Sequence, residues 1–228
     1  MARLRVLDLR GDRSDPSDRF PRPRDEMAHA NELVTEVITR VRRDGDDALL
    51  DYTRQFDNVE LDSLAVPREV LQESLASLDP GLRTALERAV RQVRWFHEQA
   101  RPSDWVDERD GIRMGQWYRP VSRVGVYVPG GKAVYPSTVV MTVVPALVAG
   151  VDEVVLCTPP TGGDGYPNRV ILAAAELVGV TRVFAVGGAQ AIAAMAYGTA
   201  SVPVCDKVVG PGNIYVAVAK QQVQAAGV

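Results

Sequence analysis

Three short glycine-containing loops hold the residues whose types and spacing could do chemistry in this chain. Each follows an apolar run and leads towards a helical pattern; they are residues 127–132 (YVPGGK), 187–190 (GGAQ) and 210–213 (GPGN). Glycines permit positive φ and close approach of the backbone to a ligand. In parallel sheets, ligands collect at the carboxyl ends of strands, beside helix N-termini that favour anions. One such loop alone favours a tight strand-to-helix turn, but three in register predict a site for a nucleotide or another anion.

None of these loops matches a named phosphate-binding motif. Residues 125–132 imitate a P-loop, but the glycine spacing is one residue too long and Ala133 stands where Ser or Thr must bind magnesium. Residues 210–215 begin like a dinucleotide fingerprint, but Tyr215 occupies the third glycine position. In addition, no acidic residue ends a following strand in the usual place for a ribose. Spacing alone therefore predicts a non-standard anion or nucleotide site.

Candidates for a nucleophile or a metal ligand are few. Cys157 and Cys205 lie in or beside apolar runs, which favours buried small hydrophobes over nucleophiles. His29 and His97 fall in helical patterns, and no second histidine follows His97 four residues later. A catalytic zinc ion usually needs three protein ligands, and the residues of this chain do not assemble such a set.

The composition is that of an ordinary soluble globular protein. The 228 residues include 26 basic and 29 acidic ones, a net charge of −3, and 46% are apolar. The slightly acidic balance argues against a nucleic-acid or membrane-surface protein, which needs a basic field. Residues 133–151 are apolar but contain Pro136, Pro145 and Gly150, so we expect a buried helix rather than a membrane span. With no signal peptide visible, we expect a cytoplasmic protein with reduced thiols.

The second half of the chain alternates strand and helix patterns. Apolar, β-branched runs predict strands at residues 124–128, 153–157, 182–186 and 207–209, and helices at 136–149, 167–178, 189–197 and 213–226. Strands that are almost continuously apolar and separated by helices are typical of a parallel sheet covered on both faces. We therefore predict a doubly wound, Rossmann-like α/β domain that brings the three loops to one edge of the sheet.

The first half differs in composition and pattern. Fourteen of the 19 glycines follow Pro120, whereas 20 of the 26 basic residues precede it. The 3.6-residue period predicts helices at residues 26–43, 47–56, 67–78 and 80–99, and Asp110-Gly111 predicts a hairpin turn within residues 105–118. The first half is therefore predicted to be mostly helical, with a boundary near Pro120.

The motifs around the loops strongly resemble those of the histidinol dehydrogenase family. The resemblance rests on residues 119–131 (RPVSRVGVYVPGG), 185–193 (AVGGAQAIA) with 197–199 (YGT), and 206–213 (DKVVGPGN), and on 45–49 (GDDAL), 52–53 (YT) and 56–57 (FD). It runs over essentially the whole chain, in the order of the family. The family oxidises L-histidinol through L-histidinal to L-histidine, the last step of histidine biosynthesis, with NAD and zinc. By this resemblance, Tyr127, Gln190 and Asn213 match NAD-contacting positions.

The resemblance also implies an architecture. The family fold, similar to that of aldehyde dehydrogenases, pairs two incomplete doubly wound domains and joins two subunits through small tails. We accordingly expect an N-terminal arm over residues 1–21, the mostly helical part of a first, incomplete α/β domain over 22–119, and the NAD-contacting domain over 120–228. A homodimer is implied for the full-length form. An incomplete domain further predicts exposed apolar surface on the helical half.

The chain departs from the family by matching about its amino-terminal half. The family's zinc ligands, its Glu-His acid/base pair and its substrate contacts lie beyond the GPGN helix, so no catalytic or metal-binding residue is expected in this chain. We therefore expect it to be inactive alone. Two alternatives remain open: a related zinc- and NAD-dependent dehydrogenase of another polar alcohol, such as a sulfopropanediol dehydrogenase, or a nucleotide-binding module without catalysis.

Overall fold

The computed structural model describes residues 8–11, 14–15, 24–130, 133–161, 163–225 and 227–228. Most of the predicted N-terminal arm, and residues 131–132 of the first glycine loop, lie outside these ranges. The elements, in chain order, are α1 (Arg24–Asp44), α2 (Asp46–Tyr52), a π-helical turn (Thr53–Asp57), α3 (Arg68–Ala76), α4 (Pro80–Ala100), β1 (Trp105–Arg109), β2 (Ile112–Gln116), β3 (Arg123–Tyr127), α5 (Pro136–Ala149), β4 (Glu153–Thr158), α6 (Arg169–Val178), β5 (Arg182–Ala185), α7 (Gly188–Tyr197), β6 (Lys207–Val209) and α8 (Ile214–Gln224).

A four-stranded parallel sheet forms the centre of the described fold, in the order β5-β4-β3-β6. Successive side chains of β4 enter two different cores: Val155 and Cys157 pack with α7 and α8, whereas Val154 and Leu156 pack with α5 and α6. This alternation follows from the two-residue period of a strand. The predicted α/β class, with a parallel sheet covered on both faces, is confirmed.

The helices of the first half form an outer layer on this sheet domain. Helix α1 packs against α7 and α8, while α3 packs on α6 and α4 on α5. On α1, the buried positions Ala30, Val34 and Val41 recur at helical spacing, which explains why this amphipathic face is covered. Between α1 and α8, Gln222 donates a hydrogen bond to the carbonyl of Asn31 at 3.0 Å. Whether residues 22–119 belong to a separate, incomplete domain stays a prediction.

A short extended segment covers the β5 edge of the sheet, and the sequence pattern did not predict it. The backbone N–H of Val66 donates to the carbonyl of Val183 at 2.9 Å, and that of Ala185 donates to the carbonyl of Leu64 at 2.8 Å. Ala65 forms an antiparallel bridge with Phe184. Pairing of this kind removes exposed hydrogen-bonding groups from an edge strand.

The predicted hairpin turn is confirmed at Asp110-Gly111, where both residues have positive φ (52° and 77°) between β1 and β2. Trp105, Ile112 and Met114 on this hairpin are exposed. Trp95 and Phe96 of α4 are exposed as well. The helical half therefore carries the exposed apolar surface that we expected.

Among the helix boundaries that differ from the sequence prediction, three concern α2, α6 and α8. The helix expected over residues 47–56 changes to a π-helical turn at Thr53. The helix expected from residue 167 begins at Arg169, because the Asn168 side chain caps it by accepting from the N–H of Val170. The last helix begins at Ile214 with Asn213 as its cap. No described helix has the length and hydropathy of a membrane span.

Candidate functional site

A cavity of about 890 Å³ lies at the carboxyl ends of the central strands, bounded on its other side by α1 and the π-helical turn. Its wall includes residues from all three glycine loops, among them Tyr127, Gln190 and Asn213. Residues 159–161, which follow β4, line it as well. The three residues singled out from the sequence are thus neighbours in one cavity, and its size is that of a small-molecule or cofactor site.

Tyr127, at the end of β3, connects the first two loops. The residue is only 4% exposed, and its hydroxyl oxygen accepts a hydrogen bond from the backbone N–H of Gly188 at 3.1 Å. Burial raises the pKa of the Tyr127 phenol above its ordinary value, so the phenol is neutral. With its oxygen accepting from Gly188, the hydroxyl hydrogen is available to donate.

Gln190 lies in the first turn of α7 and is 2% exposed. Its amide folds against Gly188, whose φ is +63° and where an added Cβ would lie 2.5 Å from the Gln190 Oε1. A side chain at Gly188 would therefore displace the amide. Gly187 and Gly188, at the start of α7, thus bring a primary amide and the first turn of the helix to the cavity wall together.

Asn213 is the N-cap of α8, and its Oδ1 accepts a hydrogen bond from the N–H of Val216 at 3.1 Å. The acceptor of the side chain is thus engaged by the helix, which leaves the amide Nδ2 and the remaining first-turn N–H groups to donate. Such a helix start favours an anion. At Gly210, φ is +122° and an added Cβ would lie 2.1 Å from the Tyr127 carbonyl oxygen, so the third loop touches the first. Lys220 of α8 donates to the Gly210 carbonyl at 2.7 Å and fixes the loop from below.

Asp57 is a cavity residue that the sequence analysis did not single out as part of the site. It ends the π-helical turn, and its Oδ2 is buried without a hydrogen-bond partner in the described chain. Burial raises the pKa of the Asp57 carboxyl to about 6. Beside it, Phe56 is 56% exposed and stacks on Tyr52 at 5.3 Å between ring centroids. The sequence feature that could have pointed to Asp57 is the FD motif at residues 56–57, which contributed to the family resemblance but had no role assigned to it.

The cysteines are buried, as predicted. Burial raises the pKa of the Cys157 thiol well above its ordinary value and that of Cys205 to about 12, so both stay protonated. His29 is exposed on α1, and His97 lies edge-on to Phe96 on α4. Among the residues that the structure describes, no three His, Cys, Asp or Glu side chains form a group that could hold a metal ion. The described residues therefore do not fit a zinc ion.

Comparison with known proteins decides the family. A family model described as histidinol dehydrogenase matches residues 20–228. The chain belongs to the histidinol dehydrogenase family. It is 51% identical over 197 residues to the histidinol dehydrogenase of Pseudomonas syringae pv. syringae, covering 85% of this chain and 44% of that protein. It is 48% identical over 191 residues to that of Methanothermobacter thermautotrophicus, covering 83% and 45%.

The fold agrees with this family. The crystal structure of histidinol dehydrogenase from Elizabethkingia anophelis superposes with a TM-score of 0.82 at 31% identity, covering 100% of this chain and 48% of that one. The chain therefore spans less than half the length of the histidinol dehydrogenases that it matches. The matched residues include the three glycine loops and Asp57.

Proposed function

We propose that this chain is the NAD-contacting, amino-terminal portion of a histidinol dehydrogenase. The whole enzyme would oxidise L-histidinol through L-histidinal to L-histidine, the last step of histidine biosynthesis. The observation that carries the NAD-contacting role is that Tyr127, Gln190 and Asn213, on three separate loops, line one cavity of cofactor size. The family membership supports the reaction.

The cavity residues suit a dinucleotide through hydrogen bonding. The starts of α7 and α8 present backbone N–H groups, which bind phosphate oxygens. The neutral Tyr127 hydroxyl and the Gln190 amide donate hydrogen bonds to the uncharged parts of the cofactor. When bound, NAD supplies the hydride acceptor for alcohol oxidation. The role of the chain's own residues is to hold and orient that acceptor.

The zinc ion and the acid/base residues of the reaction are proposed to lie outside this chain, in the part of the family that it does not match. The described residues offer no metal-ligand group and no histidine at the cavity. We therefore propose that this chain is catalytically inactive by itself. We further propose that the full-length form is a cytoplasmic homodimer that binds neither nucleic acid nor membranes.

The test compares this chain with one extended through its parent reading frame. NADH formation from L-histidinol is followed at neutral and alkaline pH with zinc supplied, and NADH binding is measured on both proteins. We expect turnover by the extended protein and NADH binding without turnover by the 228-residue chain.

Two outcomes would contradict the proposal. Turnover by the 228-residue chain would contradict the proposal that it is catalytically inactive by itself. An extended protein that ignores L-histidinol but oxidises a sulfonated diol would assign the chain to a different dehydrogenase.

A further inference from the structure

The Asp57 carboxylate lies in an environment that is unfavourable for a charged group. Its Oδ2 is buried and has no hydrogen-bond partner in the described chain. A buried oxygen without a partner costs stability, and in native proteins such groups call for a specific explanation. Since Asp57 also lines the cavity, the explanation that fits is a hydrogen bond that a ligand completes.

Among the described residues of the same wall, the cationic side chain of Arg40 does not pair with Asp57. Arg40 of α1 lines the cavity, but its guanidinium pairs with Asp51 and Asp44 and lies over the Tyr52 ring. Glu36, a further charged residue of this wall, is acidic and exposed. Asp57 thus presents an acceptor that this wall leaves unpaired.

Asp57 supplies the cavity with a carboxylate that the strand ends of the sheet do not provide. In common dinucleotide-binding folds, an acidic residue at a strand end accepts hydrogen bonds from the ribose of adenosine. Here β4 is followed by Pro159, Pro160 and Thr161, none of which is acidic. Asp57 reaches the same cavity from the π-helical turn of the first half.

Phe56, next to Asp57, is placed where it could stack on the base of a nucleoside. Phe56 is more than half exposed and stacks on the buried ring of Tyr52, so that its ring is fixed from one side only. An exposed aromatic face beside a carboxylate matches a base and its ribose, because bases stack on aromatic rings and vicinal hydroxyls bind carboxylates.

We infer that Asp57 is a specificity-determining residue: its carboxylate accepts hydrogen bonds from the adenosine ribose hydroxyls and excludes dinucleotides that carry a 2′-phosphate. A 2′-phosphate carries about −1.5 to −2 charges, and a carboxylate repels it strongly in a partly buried cavity. This inference rests on the proposed NAD-contacting role of the cavity.

The test is a pair of binding titrations, with NADH and NADPH, on the 228-residue chain and its Asp57→Asn variant. Asn keeps the shape but loses the charge and one acceptor. We expect the wild-type chain to prefer NADH by about tenfold or more, the value of one charge-assisted hydrogen bond. In Asp57→Asn, we expect the preference to fall to within about threefold, through weaker NADH and unchanged or stronger NADPH binding.

Two further variants test whether the change in cofactor preference depends on the carboxylate of Asp57 itself. Asp62→Asn removes one negative charge from an exposed carboxyl outside the cavity wall, and we expect it to keep the wild-type preference for NADH. Asp57→Ser provides a second, smaller replacement and is expected to lose the preference as Asp57→Asn does. Thermal unfolding identifies any variant that fails to fold.

The possible failures are distinguishable. If the wild-type chain binds neither dinucleotide, the proposed NAD-contacting role is wrong, and this inference falls with it. If it binds NADH and both Asp57 variants keep the wild-type ratio of affinities, Asp57 has a purely structural role and only this inference is overturned.

Discussion

The hydroxyl oxygen of Tyr127 accepts a hydrogen bond from the backbone N–H of Gly188 at 3.1 Å, which joins the end of β3 to the start of α7. The two residues belong to different glycine loops, so a single hydrogen bond sets the relative position of two cavity walls. The N–H of Gly188 is one of the first-turn donors that a helix cannot satisfy internally. The phenol therefore satisfies one N–H group at the start of α7, and the same contact fixes the orientation of the Tyr127 side chain.

Tyr127→Phe is expected to weaken both the fold and the site. Loss of the hydroxyl leaves the Gly188 N–H without this acceptor, which lowers the free energy of unfolding by about 1–2 kcal/mol. NADH affinity is expected to fall about tenfold. Urea unfolding and NADH titration measure the two effects. Tyr135→Phe, at an exposed tyrosine outside the cavity wall, is the control and should change neither quantity. An unchanged NADH affinity in Tyr127→Phe would remove Tyr127 from the proposed site.

Asn213→Ala separates a capping role from a binding role. Loss of the cap should cost about 1 kcal/mol of stability. Asn168→Ala is the matched control, because Asn168 caps α6 in the same way, at 2.9 Å from the N–H of Val170, but does not line the cavity. We expect both variants to lose similar stability and only Asn213→Ala to lose NADH affinity. Equal NADH binding by the two variants would contradict a cofactor role for Asn213.

Gly210→Ala tests the contact between the first and third loops. The new Cβ would lie 2.1 Å from the Tyr127 carbonyl oxygen at a φ of +122°, so the loops must separate, at about 2–4 kcal/mol. Gly179→Ala also introduces a side chain at positive φ (+88°), but into open space, and should cost about 1–2 kcal/mol. Urea unfolding gives both values, and NADH binding should be lost in Gly210→Ala alone. Comparable stability and binding of the two variants would show that the loops do not depend on this contact.

The Asp57 carboxyl should make stability depend on pH. Burial raises its pKa from an ordinary 3.8 to about 6, so between about pH 4 and pH 6 the folded state binds more protons than the unfolded state. The contribution of this group to the free energy of unfolding therefore falls as the pH rises through that window.

Asp57→Asn removes this titration. We expect the variant to gain about 1–2 kcal/mol over the wild-type chain at pH 7.5, after allowance for solvent screening, and nothing near pH 4. Urea unfolding at the two pH values measures the difference. Asp62→Asn, at an exposed carboxyl nearby, should give the same small difference at both. A gain for Asp57→Asn that does not depend on pH would contradict the burial of an ionisable group.

The elements of the sheet domain are predictable from sequence because their signals are local. Helix α5 begins at Pro136 and ends at Ala149 before Gly150, where the proline and the apolar run predict it, and β6 likewise has the predicted bounds. The three loops could be placed at one edge because parallel strands share a direction.

The other cavity wall was not predictable in this way. Asp57 reaches the cavity through the packing of α1 and α2 against α7, a contact between distant parts of the chain. The segment at Leu64 and Val66 was also missed, since it is too short to show an alternating pattern and ends at Pro67.

The segment around Ala65 also has a consequence for the order of assembly during synthesis. It shares backbone hydrogen bonds with Val183 and Ala185, so this segment cannot complete its pairing until β5 has left the ribosome. Contacts between parts of the chain so far apart are slow to form, because the intervening loop must close first. The wall that carries Asp57 should therefore be among the last parts of the cavity to become fixed in a newly made chain.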